Sequence, residues 1–327
     1  MEWDLIQIFI KKNMSKKNIV VIGLGGVGGY FGFKMNQVNE STAKYEITFV
    51  ARGATYEIVK EKGLTLLSPE HKNAITRPDD IVKNIADIKN PDLIFICVKE
   101  YDLENVCQQL VKVITPDTIL FPMMNGADIY DRIRKIIPDH VILPSCVYVA
   151  SHIKEKGIVE HKGKSGTLIF GCDPQHTSAD IDWVIRLLEE SNIKYSFKDN
   201  PLTDIWEKFI FIASFGLVTA KHNSSISSVC TDEEQYQEAV RIMEEIKLIA
   251  KAKNIYLPED IIAKTMEKAA GFPLGTPTSL QLDIHSDKGS NELELFGGAV
   301  IKYGEELGIN TPVTLRVYEE IKERMIK

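Results

Sequence analysis

Residues Asn18–Gly29 read Asn-Ile-Val-Val-Ile-Gly-Leu-Gly-Gly-Val-Gly-Gly, an apolar, β-branched run that breaks into glycines. The spacing is Gly23-Leu24-Gly25-Gly26-Val27-Gly28, and the stretch that follows can be helical. No other feature constrains the fold as tightly. A strand must turn sharply into a helix whose N-terminus, with its unpaired N–H groups, suits a pyrophosphate. Gly23 supplies the tight turn, Gly25 lets the backbone approach the phosphates, and Gly28 lets the helix pack close to the strand. A second strand-like run, Tyr45–Val50, follows at the distance expected of a Rossmann unit. Leu24, Gly26 and Val27 complete the expected dinucleotide-binding loop. A Gly-rich turn in another α/β protein, a methyltransferase included, fits the same residues.

Strand and helix signals alternate through the first half. Ile19–Ile22, Glu46–Val50, Leu93–Val98, Thr118–Phe121 and Val141–Pro144 read as strands, and Gly26–Asn39, Thr55–Lys62 and Leu103–Ile114 as helices. Alternation of this kind means a parallel sheet with right-handed crossovers. Val147–His152, Gly157–His161 and Thr167–Phe170 predict an antiparallel addition to that sheet, followed by a helix at Ala179–Ser191 and a last strand at Lys194–Phe197. After Asp199-Asn200-Pro201 the pattern is helical: Ile205–Ala220, Asp232–Asn254, Pro258–Ala270, Asn291–Leu307 and Thr314–Met325. The fold class is therefore α/β: a Rossmann-type doubly wound sheet over residues 17–199, then an all-helical C-terminal domain over 200–327. Residues 1–16 are read as a poorly ordered extension. Acids precede its apolar stretch and lysines follow it, the wrong order for a secretory signal, and Met14 would serve as a translation start.

The net charge of −7 argues against a general nucleic-acid binder. No apolar run spans a bilayer, so no membrane is expected and the location is read as cytoplasmic. Five scattered cysteines and seven histidines show no metal spacing, and no metal is expected. His152, His161 and His285 are given no role.

An acid usually ends the second strand of an NAD-binding fold; here the residue is Arg52, suited to pair with the 2′-phosphate of NADP. A solvated loop arginine is the other reading. Lys99 follows the buried strand Leu93–Val98, where open α/β sheets bind ligands, although a lysine snorkelling from a strand end fits as well. Asn125-Gly126 follows the next strand; it offers an amide to a ligand, or is a plain turn. Trp206-Glu207-Lys208 leads into Phe209–Ala220, which carries no charge and must be buried. A partly desolvated Lys208 would serve as a proton donor near neutral pH, or would simply end the polar part of a core helix. Ser279 and Asp283 are helical neighbours, with Asp283 a local support, and Glu292 is either a helix-terminal or a cleft carboxylate.

These motifs, in this order and over nearly the whole chain from about Lys17, resemble the ketopantoate reductase (2-dehydropantoate 2-reductase) family. The resemblance implies NADPH-dependent reduction of a 2-keto acid, 2-dehydropantoate to pantoate, in pantothenate and coenzyme A biosynthesis, in a cleft between the two domains; another small 2-keto acid is the alternative. It implies Lys208 as general acid and Glu292 as the glutamate that binds the substrate hydroxyl. Ser279 would contact the substrate carboxylate, Lys99 and Asn125 would lie near nicotinamide and substrate, and Arg52 would select NADP. The family pattern places asparagines where this chain has Ile212, Gly216 and Ile226; ketopantoate stays the leading substrate, and the lost amides open the alternative of a more apolar 2-keto acid. Ser214, Asn223, Ser224 and Ser225 are the neighbours that would compensate. One residue also stands inserted between Asp283 and Glu292. A non-catalytic NADP-binding sensor is the rival from another class. A homodimer, if formed, would use the C-terminal helices.

Overall fold

The computed structural model describes residues 16–286 and 289–326. Apart from Lys16, the extension read over residues 1–16 lies outside them, as do residues 287 and 288, between Asp283 and Glu292. The chain folds as two compact units. The first holds residues up to Val98, Leu103–Met124 and Ile133–Phe197; the second holds Lys99–Asp102, Asn125–Arg132 and Lys198–Lys327.

In chain order the strands are β1 (Lys17–Ile22), β2 (Tyr45–Val50), β3 (Leu64–Ser68), β4 (His71–Thr76), β5 (Asp80–Val82), β6 (Leu93–Ile96), β7 (Ile119–Pro122), β8 (Val141–Ile142), β9 (Ser145–Tyr148), β10 (Ser151–Glu155), β11 (Ile158–His161), β12 (Thr167–Gly171) and β13 (Lys194–Lys198). The main sheet has six strands in the order β5-β2-β1-β6-β7-β8, all parallel. The order runs outward in both directions from β1, so β1 and β6 flank the point where it reverses, the place where such sheets bind ligands. The last four residues of β1 and all four of β6 are apolar and buried, as in strands covered on both faces; α1 (Gly26–Thr42) follows β1 and α2 (Gly53–Lys62) follows β2.

The antiparallel addition expected from residues 147–170 is not part of this sheet. β9 pairs with β12 in a separate three-stranded sheet, and β10 and β11 join β3 and β4 in a four-stranded one. The run Val147–His152 thus contributes to two strands in different sheets. The expectation failed because alternation shows that a strand has one buried face and not which sheet receives it. The three-stranded sheet is tied to the main core through rings: Phe121 lies 5.1 Å from Phe95 and 5.0 Å from Phe170. All three are buried, and each such ring contributes about 1.5–3 kcal/mol by its removal from water.

Helices continue with α3 (Glu100–Leu110), α4 (Ile129–Ile136) and α5 (Asp182–Glu190), then α6 (Leu202–His222), α7 (Ile226–Thr231), α8 (Glu233–Ala252), α9 (Ile261–Ala270) and α10 (Ser279–Ile284). A π-turn at Glu294–Gly298 runs into α11 (Ala299–Leu307), and α12 (Pro312–Ile326) follows. The axis of the second unit is α6, nearly all of it buried from Lys208 to Lys221. Helices α8, α10 and α12 and the π-turn pack around it, as its lack of a polar face requires. Glu245 of α8, itself buried, accepts from the N–H groups of Val313 (2.8 Å) and Thr314 (3.0 Å), so it neutralises orphan donors at the start of α12.

Candidate active site

The glycine loop of the first unit is shaped by backbone alone. Gly23 has φ +92°, which L side chains rarely adopt, and a Cβ there would stand 2.6 Å from the Cys97 carbonyl oxygen. A Cβ on Gly28 would collide with the Gly23 carbonyl, and one on Gly26 with that of Ser151. Gly25 differs: its Cβ would meet nothing within 4 Å. Gly25 is also the N-cap of α1, without a side-chain cap and with no acidic residue in the first turn. The loop therefore presents N–H groups, no negative charge and open space at one helix N-terminus. That fits a dinucleotide pyrophosphate. NADP in this loop would lie against Gly23, Leu24, Gly25, Gly26, Val27 and Gly28. Arg52 is the exposed N-cap of α2, with one residue between it and the end of β2.

The second unit gathers polar residues from five distant parts of the chain. Lys208 is buried in α6 at 9% exposure, and its ammonium donates to Asn125 Oδ1 at 2.7 Å. Lys99 donates to the carboxylate of Glu292 and to Asp283 Oδ2, the latter at 3.2 Å. Glu292 is buried and stands just ahead of the helical run that opens with the π-turn; its second oxygen accepts weakly from the Glu100 N–H at 3.4 Å. Glu292 is thus a carboxylate near a helix start that also holds a lysine. Burial works against the Lys99 ammonium, but attraction to Glu292, helped by Asp283, outweighs it and raises the lysine's pKa.

Ser279 is the first residue of α10, after the N-cap Thr278. It shares a helical face with Asp283, four residues on. Its surface is exposed. Asp283 does more than support local structure, since it binds Lys99 across 184 residues. The sequence reading missed Glu100, Asp128 and Arg132. Arg132 Nε donates to Asp128 Oδ2 at 2.5 Å, and its Nη1 donates to the Glu100 carboxylate. The Asp128/Arg132 spacing of four was the legible signal; the partner Glu100 had none.

The positions where amides were expected are apolar. Ile212 is half-buried and Ile226 buried. Gly216 faces Leu280, whose side chain would lie 3.6 Å from an added Cβ. The neighbours placed to replace those amides are engaged locally. Ser214 bonds back to the Ile210 carbonyl (2.6 Å), Ser224 to Gln235 (2.6 Å), Asn223 accepts from Gln281 (2.7 Å), and Ser225 caps α7. His285 likewise meets the Ala220 carbonyl at 3.0 Å.

No helix among the described residues is long and apolar enough to cross a membrane. A trio of donors, His222, Glu234 and Glu238, lies close together in the second unit. Glu238 already meets Lys221 at 2.5 Å and Arg316 at 2.9 Å, which opposes a further cation there.

The sequence profile of the family described as Ketopantoate reductase PanE/ApbA matches residues 19–175, and that of its C-terminal part matches residues 200–325. The 2-dehydropantoate 2-reductase of Streptococcus pyogenes serotype M3 is 23% identical over 302 residues, 92% of this chain and 95% of its own. The crystal structure of 2-dehydropantoate 2-reductase from Porphyromonas gingivalis W83 has a TM-score of 0.80 and 27% identity, covering 94% of this chain and 99% of that one. A D-mandelate dehydrogenase solved with NADH and anilino(oxo)acetate has a TM-score of 0.81 at 20% identity, covering 94% and 98%, a likeness of fold alone. With both family segments matched in order on a parallel-sheet unit and a helical unit, the chain belongs to the ketopantoate reductase family of NADPH-dependent oxidoreductases acting on CH–OH groups.

Proposed function

We propose that this chain reduces the ketone of 2-dehydropantoate to give pantoate. The observation that carries the reading is Lys208, a buried ammonium hydrogen-bonded to Asn125 at 2.7 Å in the same unit as the Lys99–Glu292 pair. NADPH, when bound, supplies the hydride that adds to the ketone carbon. Gly23–Gly28 would hold its pyrophosphate and Arg52 its 2′-phosphate. Lys208 gives its proton to the ketone oxygen as that oxygen gains charge. A cation at that point stabilises negative charge that exists only in the transition state. Asn125 accepts one N–H of Lys208 and so limits the directions in which the remaining two can point. Glu292, paired with Lys99, accepts from the substrate hydroxyl. Ser279 donates to the substrate carboxylate.

The test is the loss of NADPH absorbance on mixing with 2-dehydropantoate, for the native protein and Lys208→Ala. Native turnover that vanishes in the variant supports the reading. NADPH binding without turnover on any 2-keto acid would favour a sensor instead.

A second reading is favoured by Ile212 and Gly216, one and two helical turns beyond Lys208, with Leu280 against the glycine. No side chain at these two positions can bond a hydroxyl, so a 2-keto acid with a wholly apolar tail fits as well. The related fold of a D-mandelate dehydrogenase shows that fold by itself does not select the acid. The discriminating pair is 2-dehydropantoate and 3,3-dimethyl-2-oxobutanoate, which differ by one hydroxyl. A site built to bond that hydroxyl rejects the deoxy compound by orders of magnitude, whereas an apolar site does not.

A further inference from the structure

Two short segments, Lys99–Asp102 and Asn125–Arg132, belong to the second unit although residues of the first unit flank each of them in sequence. Each delivers a residue of the ionic site, Lys99 from one and Asn125 from the other. Arg132, itself in the second segment, bonds both within that segment and across to the first. Its Nε binds Asp128, three residues after Asn125, at 2.5 Å, and its Nη1 binds Glu100, the neighbour of Lys99. The Glu100 N–H in turn reaches Glu292. A guanidinium has the rigid fork such a double contact needs; an ammonium does not.

The surroundings make this clasp consequential. The side chains of Asp128 and Glu100 are 5% and 10% exposed, so both carboxylates are largely dried. Asp128 Oδ1 has no hydrogen-bond partner among the described residues, which leaves Oδ2 and Arg132 as its side-chain anchor. Burial pushes the Asp128 pKa up, and Arg132 opposes that push. Without Arg132, two buried carboxylates lose their shared cation, and the segments that carry them are no longer drawn together.

We propose that Arg132 is a positioning residue for the reaction: it acts through Asn125, holding that amide in register with the Lys99–Glu292 pair so that Lys208 is correctly aimed. This rests on the reading that Lys208 and Asn125 serve the chemistry. The experiment measures kcat and, separately, NADPH affinity by cofactor fluorescence, using the best substrate of a 2-keto acid panel. The variants are Arg132→Met, Arg132→Lys, Asn125→Ala, the Arg132→Met/Asn125→Ala double and Lys208→Met. Arg132→Met is expected to lower kcat by about 10²-fold, the scale of a small misplacement of catalytic groups, while NADPH affinity stays within about twofold. Arg132→Lys is expected to recover part of the loss. In the Asn125→Ala background, the further loss from Arg132→Met is expected to shrink to about threefold or less, since coupled residues do not add. The proposal is overturned by a full, undiminished loss in that background, by a kcat within about threefold of native in Arg132→Met, or by an equal collapse of NADPH binding. Should Arg132→Met not fold, Glu100→Gln opens one arm of the clasp, and native kcat in that variant overturns the proposal equally. If Lys208→Met retains turnover, the reading of the site itself fails, whatever Arg132 does.

Discussion

The Gly23–Gly28 loop and the ionic group around Lys99 and Lys208 are built on opposite plans. The loop occupies six consecutive residues, and its chemistry comes from backbone N–H groups and from missing side chains. The ionic group draws Lys99, Asn125, Lys208, Asp283 and Glu292 from five separated parts of the chain, and its chemistry lies wholly in side chains. Gly23, Gly26 and Gly28 each answer a steric demand of the protein itself, whereas Gly25 leaves open space. A dispersed device depends on packing that its own residues do not supply, such as the buried run of α6 behind Lys208.

The largest expected break between the two regions is Lys208→Met. It should lower kcat/KM by about 10²–10⁴-fold, the range for loss of a positioned general acid, and leave NADPH affinity unchanged. An equal loss of both would show that the regions are not separable. Next comes Arg52→Gln. Losing a charge-assisted contact of about 1.5–3 kcal/mol should weaken NADPH by about 10–100-fold, with NADH binding unaffected. Isothermal titration with both cofactors checks it.

A contrast within the loop sharpens the comparison further. Gly28→Ala forces a collision with the Gly23 carbonyl and should cost about 1–3 kcal/mol of stability. Gly25→Ala meets no protein atom, so its stability should stay within about 0.5 kcal/mol of native, yet its methyl occupies the space assigned to phosphate and NADPH should bind more weakly. Denaturant unfolding and cofactor titration separate the two glycines. If Gly25→Ala binds NADPH as native does, the phosphates lie elsewhere.

The smallest effect concerns Lys99. Its folded pKa is raised above the ordinary value, so its contribution to stability is fully present below the ordinary lysine pKa of about 10.4 and is lost as pH rises through the raised folded value. Since 44% of its side chain is exposed, solvent screens the gain. The Tm gap between native protein and Lys99→Met should therefore be small and flat at neutral pH, and should close only in strongly alkaline solution. A gap that closes on acidification instead would place its origin in the carboxylates.

The glycine spacing, the β-branched runs and the uncharged stretch Phe209–Ala220 were legible because each is a local demand: a turn, a doubly covered strand, a buried helix. Residues 147–170 were legible as strands and misassigned as to sheet, since pairing partners lie far away in sequence; β11, for instance, runs beside β3. The same reason hid the clasp at Arg132, whose partner Glu100 carries no spacing signal.

The amino-acid sequence alone determined that a parallel nucleotide-binding sheet precedes a helical unit, and which residue types stand ready for chemistry, because short-range sterics and periodic burial decide those matters. Only the tertiary structure decided that Lys208 meets Asn125, that Asp283 and Glu292 share Lys99, and that Arg132 bridges Glu100 and Asp128. Such contacts span up to 193 residues, and no local rule brings their members together. Lys208, Glu292 and Asp128 are buried, and a buried charge is tolerated only beside a partner.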